Sequence, residues 1–415
     1  MNNKKGRLIW QWIPMLVILF VAAILVTWQI TYNSVRKEMN AEYTEMLSQV
    51  TAANDISRTM YNVDSILRGK YIGEIDEEKL IDYTITGYVY GLGDKYAYYM
   101  SAEEYANYLL ENNEGIKTGI GVTVVYDNSV GGLYITSVYE GTPASRAGLL
   151  PGEVITRAEG KSVTEMGYSA ALQTIGDGEV GSNVTLSILS QRGTERVITL
   201  TREEIKIETV TWRMLTSDTG VVKISEFTPN TPEEFKIAIQ NLTVNGAERF
   251  IFDVRNNPGG NLTGVTATLD FLLPAGDVII INDKNGTQRS ITSDTTEFSA
   301  PMAVLVNGNT ASAAELFTAA LRDYDKAEIV GETTYGKGSM QEIVRLPNGG
   351  AASVSVSTYL PPSGVSYDGE GIRPDYPVEL PEDVASKYYR MTDEEDTQLQ
   401  KALEIVTAME VNTIQ

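Results

Sequence analysis

Histidine and cysteine are both absent from the 415 residues. Without histidine there is no Ser-His-Asp triad, no imidazole metal ligand and no imidazole base. Without cysteine there is no thiolate nucleophile, no thiolate metal site and no disulfide. Any proton chemistry therefore falls to Lys, Asp, Glu or Tyr. Positive charge is scarce too: 33 Lys and Arg against 55 Asp and Glu leave a formal charge of −22. Nucleic acid is a poor partner for such a chain, because phosphate binding needs clustered Lys and Arg.

What is present suits a folded protein. The apolar fraction is 42%, and the length allows two or three domains with their own cores. Near the start, "LIWQWIPMLVILFVAAILVTWQI" (Leu8 to Ile30) matches the length of a bilayer core. Lys4, Lys5 and Arg7 precede it, and Trp10, Trp12 and Trp28 mark two interfaces. The positive-inside rule then leaves the amino terminus cytoplasmic and everything after Ile30 outside. A cleaved signal peptide is the alternative, but the run is long and no A-x-A site follows it. The expectation is a single-pass anchor in the cell membrane with an extracytoplasmic body.

The texture then changes along the chain. Residues 1–33 read as a cytoplasmic tail and anchor, and 34–117 as a helical region that pairs with a copy of itself or packs on its own domain. Residues 118–203 alternate apolar and polar positions between glycine turns, interrupted by the helical "MGYSAALQTI", and read as a compact β module. Residues 204–380 alternate strand and helix, the pattern of a sheet with helices on its faces. Residues 381–415 end in the amphipathic helix "TDEEDTQLQKALEIVTAM", acidic at its start as the macrodipole prefers. The fold class is α/β (α+β), multidomain.

Three segments carry candidate chemistry. In "VLVNGNTASAAELFTAAL" a strand ends at Val306 and a helix begins near Ser312. A hydroxyl there sits where helix-end N–H groups can stabilise an oxyanion. The same residues, Ser312-Ala-Ala-Glu315, also spell a capping box, in which the serine only satisfies an orphan N–H. "GETTYGKGS" (Gly331 to Ser339) nearly matches a phosphate loop, but Gly338 stands where Ser or Thr should hold magnesium, and strands rather than a helix follow. Gly336 and Gly338 suggest a backbone in close quarters around Lys337, and Gln341 four residues on would share its face of a strand. "FDVRNNPGGN" runs a strand into a turn whose glycines can bring N–H groups close to a ligand. The triplet Asp218-Thr219-Gly220 reads as a hairpin turn, with no second copy to complete an aspartic dyad. No metal or cofactor is expected.

Taken together, these pieces resemble the C-terminal processing peptidases, serine proteases that use a Ser–Lys dyad. "VNGNTASAAE" is similar to the family's nucleophile motif with Ser312 as nucleophile, and "GETTYGKGSMQ" to its lysine motif. The resemblance implies Lys337 as general base and Gln341 as the residue that orients it. "DVRNNPGG" is similar to the segment that supplies an oxyanion-hole glycine, Gly259 or Gly260, with the other N–H from the Ser312–Ala313 backbone. "GLGDKYAYYMSAEEY" resembles a further family stretch, and "GTPASRAGLLPGEVI" its PDZ domain. The loop "TGIGV" is similar to the family's carboxylate-binding loop, which implies that Gly119, Ile120, Gly121 and Val122 receive a substrate's free carboxy terminus. Burial would lower the lysine pKa toward the range of a base and account for the missing histidine. Two departures stand out: "TIGDGEVG" lacks the basic residue that relatives often carry after the PDZ helix, and Ala314 replaces a second serine. The resemblance also implies cleavage of proteins near their carboxy termini and a homodimer through terminal helices. The main rival is a PDZ adaptor that binds tails without cutting them.

Overall fold

The computed structural model describes residues 54–411 except 115, 128 and 177, together with 27–29, 31, 33 and 37. The expected anchor over 8–30 falls almost entirely outside the described residues. No helix among the described residues is long and apolar enough to cross a membrane. The chain divides into two units, Met1–Leu80 and Ile81–Gln415. In the first, a helix over 54–68 ends where Arg68 pairs with Asp64 one turn back and with Glu77 ahead.

Most of the helix Glu77–Tyr90, the strand Tyr98–Met100 and the helix Ala102–Glu114 follow in the larger unit. The sequence reads this region as helical throughout, so the strand is a correction. Gly91 and Gly93 end the first helix, Gly93 with φ of 74°. The backbone of "YYM" then finds partners far down the chain, antiparallel to residues 351–353. Tertiary pairing overrides local preference here.

The β module is a six-stranded sheet: five strands run in the order Val122–Asp127, Gly132–Val138, Val154–Ala158, Asn183–Leu189, Glu195–Thr201, and the short Lys161–Ser162 pairs with Val154–Ala158. Alternate residues Leu133 and Ile135, with Ile155, Leu186 and Ile188, are fully buried, and the helix Tyr168–Gly176 covers them with Ala171 and Ile175. Val122–Asp127 is an edge strand with one ladder partner among the described residues.

The α/β core is a six-stranded sheet in the order Val210–Met214, Thr219–Ile224, Arg249–Asp253, Met302–Val306, Glu328–Gly331, Tyr376–Pro377. All pairs but the first are parallel. Such strands are covered on both faces and read as continuous apolar runs. Period two sorts them: Phe250, Phe252, Val304 and Val306 face the helices Thr231–Val244, Leu262–Leu272 and Ala313–Asp323. Ile251, Ala303 and Leu305 face the last helix, Thr397–Ala408, through Leu399, Ala402 and Val406. The terminal segment thus packs as the second layer of the core. Its helix starts later than the acidic run suggests, with Asp396 accepting the Leu399 N–H as cap. A second sheet carries the hairpin Ser339–Arg345 and Ala351–Leu360.

Candidate active site

Ser312 sits where the buried strand Met302–Val306 has turned and the helix Ala313–Asp323 begins. Its φ of 55° and ψ of −118° are strained for a residue with a side chain. Small neighbours make that turn fit. A Cβ on Gly259 would lie 2.8 Å from the Ser312 Cβ and 2.9 Å from the Ala313 nitrogen. Glu315 reaches back to the Ser312 N–H as in a capping box, and the helix start holds the serine hydroxyl. Its neighbour is the hydroxyl of Tyr359, at 3.5 Å, whose own proton goes to the Lys337 carbonyl at 2.8 Å.

Lys337 lies in the loop that joins Glu328–Gly331 to Ser339–Arg345. The flanking glycines are needed for contact: a Cβ on Gly336 would meet the Gly371 nitrogen at 2.8 Å, and one on Gly338 the Asp368 Cβ at 2.8 Å. The ammonium is half-buried. Burial lowers its pKa from the ordinary lysine value; Asp94 and Glu315 pull the other way, and Lys95 adds to the lowering. The Nζ atom stands 4.6 Å from the centre of the Tyr96 ring and makes no hydrogen bond to Ser312. The Gln341 amide donates to Ser355 Oγ at 3.0 Å and to Ser339 Oγ at 3.2 Å, and not to Lys337.

Four main-chain N–H groups bear on where a developing oxyanion could bind. The Ser312 amide donates to Glu315 Oε2 at 2.8 Å, and the Gly259 amide to Asn257 Oδ1 at 2.8 Å. The amides of Gly260 and Ala313 have no acceptor among the described residues. Both residues line the same cavity of about 640 Å³ as Ser312, Lys337, Gln341 and Tyr359, with Phe227, Leu262, Leu316 and Met340 as apolar wall. The turn before Gly259 is held from behind. Arg255, 4% exposed, donates to Asp253 at 2.8 Å and to Asp396 at 2.8 Å. Burial would raise the Asp253 carboxyl, and the Arg255 guanidinium more than reverses this, so its pKa falls below the ordinary value.

Glu315 does more than its place in the sequence suggests. The carboxylate is fully buried and accepts from Ser312 N at 2.8 Å, Lys337 N at 2.8 Å, Gly336 N at 2.6 Å and Thr334 Oγ1 at 2.5 Å. It therefore ties the serine turn to the lysine loop. Burial raises its pKa from the ordinary carboxylate value against the pull of those hydrogen bonds. The signal in the sequence was an acid amid "ASAAELF", on a helix with no other charge until Arg322.

The tail-binding candidates lie apart from this cavity. Gly119 ends a strand, Ile116–Gly119, that pairs with Glu203–Lys206. Ile120 is buried. Gly121 has φ of 85°, and a Cβ there would lie 2.3 Å from the Thr142 Cβ. Val122 opens the edge strand, whose free side can accept an added strand.

Known proteins are similar to this chain. The pattern of peptidase family S41 matches residues 218–378, and that of the PDZ domain residues 134–190. A protein of Staphylococcus aureus (strain COL) named "Probable CtpA-like serine protease" is 30% identical over 382 residues, 90% of this chain and 73% of the relative. The "Carboxy-terminal processing protease CtpA" of Bacillus subtilis (strain 168) is 32% identical over 319 residues, 76% of this chain and 67% of the relative. In fold, the chain is similar to a crystal structure named "Putative S41 protease" from Bacteroides fragilis NCTC 9343, with a TM-score of 0.56 at 18% identity over 84% of this chain and 97% of that one.

Proposed function

The chain belongs to the C-terminal processing peptidases of family S41 and is a serine-type endopeptidase; from that premise we propose that Ser312 is its nucleophile and Lys337 its general base. One observation carries the reading: a hydroxyl, a desolvated amine and two unoccupied amides, of Gly260 and Ala313, open into one cavity. Ser312 Oγ attacks the scissile carbonyl carbon while its proton passes to neutral Lys337 Nζ. The carbonyl oxygen becomes an oxyanion that the Gly260 and Ala313 amides receive. Collapse breaks the C–N bond, Lys337 returns the proton to the leaving amine, and water then releases the acyl group. Gln341 orients the lysine once Lys337 swings from Tyr96 toward Ser312. Gly259 supports the turn by its small size and not by its amide, which Asn257 occupies.

Substrates are proteins or peptides with free carboxy termini. The loop Gly119–Val122 receives the terminal carboxylate, and the tail adds to the edge strand Val122–Asp127. The run Leu8 to Ile30, with its basic flank, anchors the chain in the cell membrane with the catalytic body outside the cytoplasm. Exposed Ile56, Met60, Val63 and Leu67, spaced for one face of the first helix, would suit a homodimer contact.

The test is cleavage of an unfolded protein with an apolar carboxy terminus by the full chain in detergent, from about pH 6 to about pH 10. Wild type should cut, faster as pH rises; Ser312→Ala and Lys337→Ala should lose at least about a hundredfold in rate. Amidating the substrate terminus should slow cleavage. Alanine variants that cut like wild type would refute the dyad. Tail binding without any cleavage would leave the PDZ adaptor.

A further inference from the structure

The stretch "GLGDKYAYYM" is not used by the chemistry above, yet it reaches the lysine. Asp94 accepts the Tyr96 N–H at 3.0 Å and the Ser355 N–H at 2.8 Å, which fastens the loop to the strand Ala351–Leu360. Four residues after Asp94, the strand Tyr98–Met100 pairs with the same strand. Held at both sides, Tyr96 presents its ring to two ammonium groups, Lys337 at 4.6 Å and Lys95 at 4.7 Å from the centroid. Its hydroxyl is buried and, apart from the neighbouring Lys95 ammonium, whose pKa it raises, has no hydrogen-bond partner among the described residues; toward Lys337 this side chain contributes its aromatic face.

We infer that Tyr96 is a positioning residue for Lys337: in the empty site its ring face holds the lysine as an ammonium, turned away from Ser312. This rests on Lys337 being the general base. A ring quadrupole attracts the cation and not the neutral amine, so the contact opposes the deprotonation that a base requires. Substrate entering the cavity, whose wall includes Tyr96 and Tyr98, meets that ring and can release the lysine. Asp94 and Glu315 also favour the ammonium, Lys95 disfavours it, and burial disfavours it most. Asp368, which accepts the Gly338 N–H, and the Tyr359 hydroxyl, on the Lys337 carbonyl, complete the polar groups around the loop. Changing only the ring isolates its share.

The experiment is the pH dependence of kcat/KM for the full chain, as wild type, Tyr96→Phe, Tyr96→Leu and Lys337→Ala. This parameter reports the free enzyme, where the contact exists. Phe keeps the aromatic face and should keep the acidic limb where wild type has it. Leu keeps an apolar cover without a quadrupole. Its limb should move to lower pH by about half a unit to one unit, with several-fold faster cleavage below the wild-type limb. Equal limbs for Phe and Leu overturn the inference. So does a Leu limb at higher pH, which would mean that the ring only excludes water, and so does a uniform rate loss without a shift. A fully active Lys337→Ala would instead overturn the reading of Lys337 as base, whatever the Tyr96 variants do.

Discussion

Glu315 gives the sharpest test of how the site is held together. Its two oxygens each accept two hydrogen bonds: Oε1 from Thr334 Oγ1 and Gly336 N, Oε2 from Ser312 N and Lys337 N. Glu315→Ala removes both acceptor oxygens and leaves four donors unpaired in a buried place. An orphaned buried donor costs about 1–3 kcal/mol, but loops relax and water enters, so the expected loss is about 3–5 kcal/mol and not the full sum. Glu315→Gln should be much milder. Its carbonyl can keep the Ser312 and Lys337 amides, and its NH2 can donate to Thr334 Oγ1, which leaves the Gly336 amide and the Thr334 hydroxyl proton without that acceptor. Being uncharged, it also escapes the desolvation that raises the Glu315 pKa; about 1 kcal/mol is expected. The sign of the pH dependence follows. A carboxyl whose folded pKa is raised above 4.5 binds its proton more tightly when folded. Its contribution is fully present below 4.5 and is lost as pH rises through the folded value. Wild type should therefore gain stability relative to Glu315→Gln as pH is lowered toward that window. Urea unfolding followed by Trp212, on the core strand Val210–Met214, measures all three proteins. Equal losses for Ala and Gln, or a wild-type-to-Gln difference that does not change with pH, would refute this account.

Two further outcomes are expected. Gly259→Ala places a Cβ 2.8 Å from the Ser312 Cβ at a φ of 110°, so cleavage should fall by about a hundredfold or more, read as initial rate on the same unfolded substrate. A near-normal rate would show that the turn can move aside. Arg255→Met leaves Asp253 and Asp396 buried without their cation and should cost about 3–5 kcal/mol in urea unfolding at neutral pH. Because Asp253 titrates below its ordinary value of 3.8, its contribution is present above that pH and lost as pH falls through the folded value. The gap between wild type and variant should therefore close only below pH 3.8.

Periodicity made the core legible and distance hid much of the site. The runs "RFIFDVR" and "MAVLVNG", followed by helical patterns, give the parallel strands and crossover helices directly, because strands buried on both faces have no polar alternation to misread. Tyr98–Met100 did not announce itself, since its partners Ala351–Ser353 lie in another segment. Glu315 read as a local cap because Ser312 is three residues away, while its other three donors lie 19 to 22 positions on. Gln341 shows a different limit. A shared face with Lys337 presumes an unbroken strand, whereas the strand begins at Ser339 and is bulged between Met340 and Gln341. That bulge resets the alternation, and the amide turns to Ser355.

The backbone around the lysine is fixed more firmly than its side chain. The Lys337 N–H is bound to Glu315 and its carbonyl to the Tyr359 hydroxyl, and the next amide, of Gly338, to Asp368. The Ser312 N–H is bound to Glu315 as well. Both backbones therefore refer to one buried carboxylate, whereas the Lys337 amine is placed by the rotamers of a long side chain and a weak hold on the Tyr96 ring. Rotamer changes of this kind cost little compared with moving a hydrogen-bonded loop. Assembly of the proposed dyad would thus require neither the lysine loop nor the serine turn to refold. Under that proposal, substrate binding would displace the ammonium from Tyr96 and the hydroxyl from Tyr359.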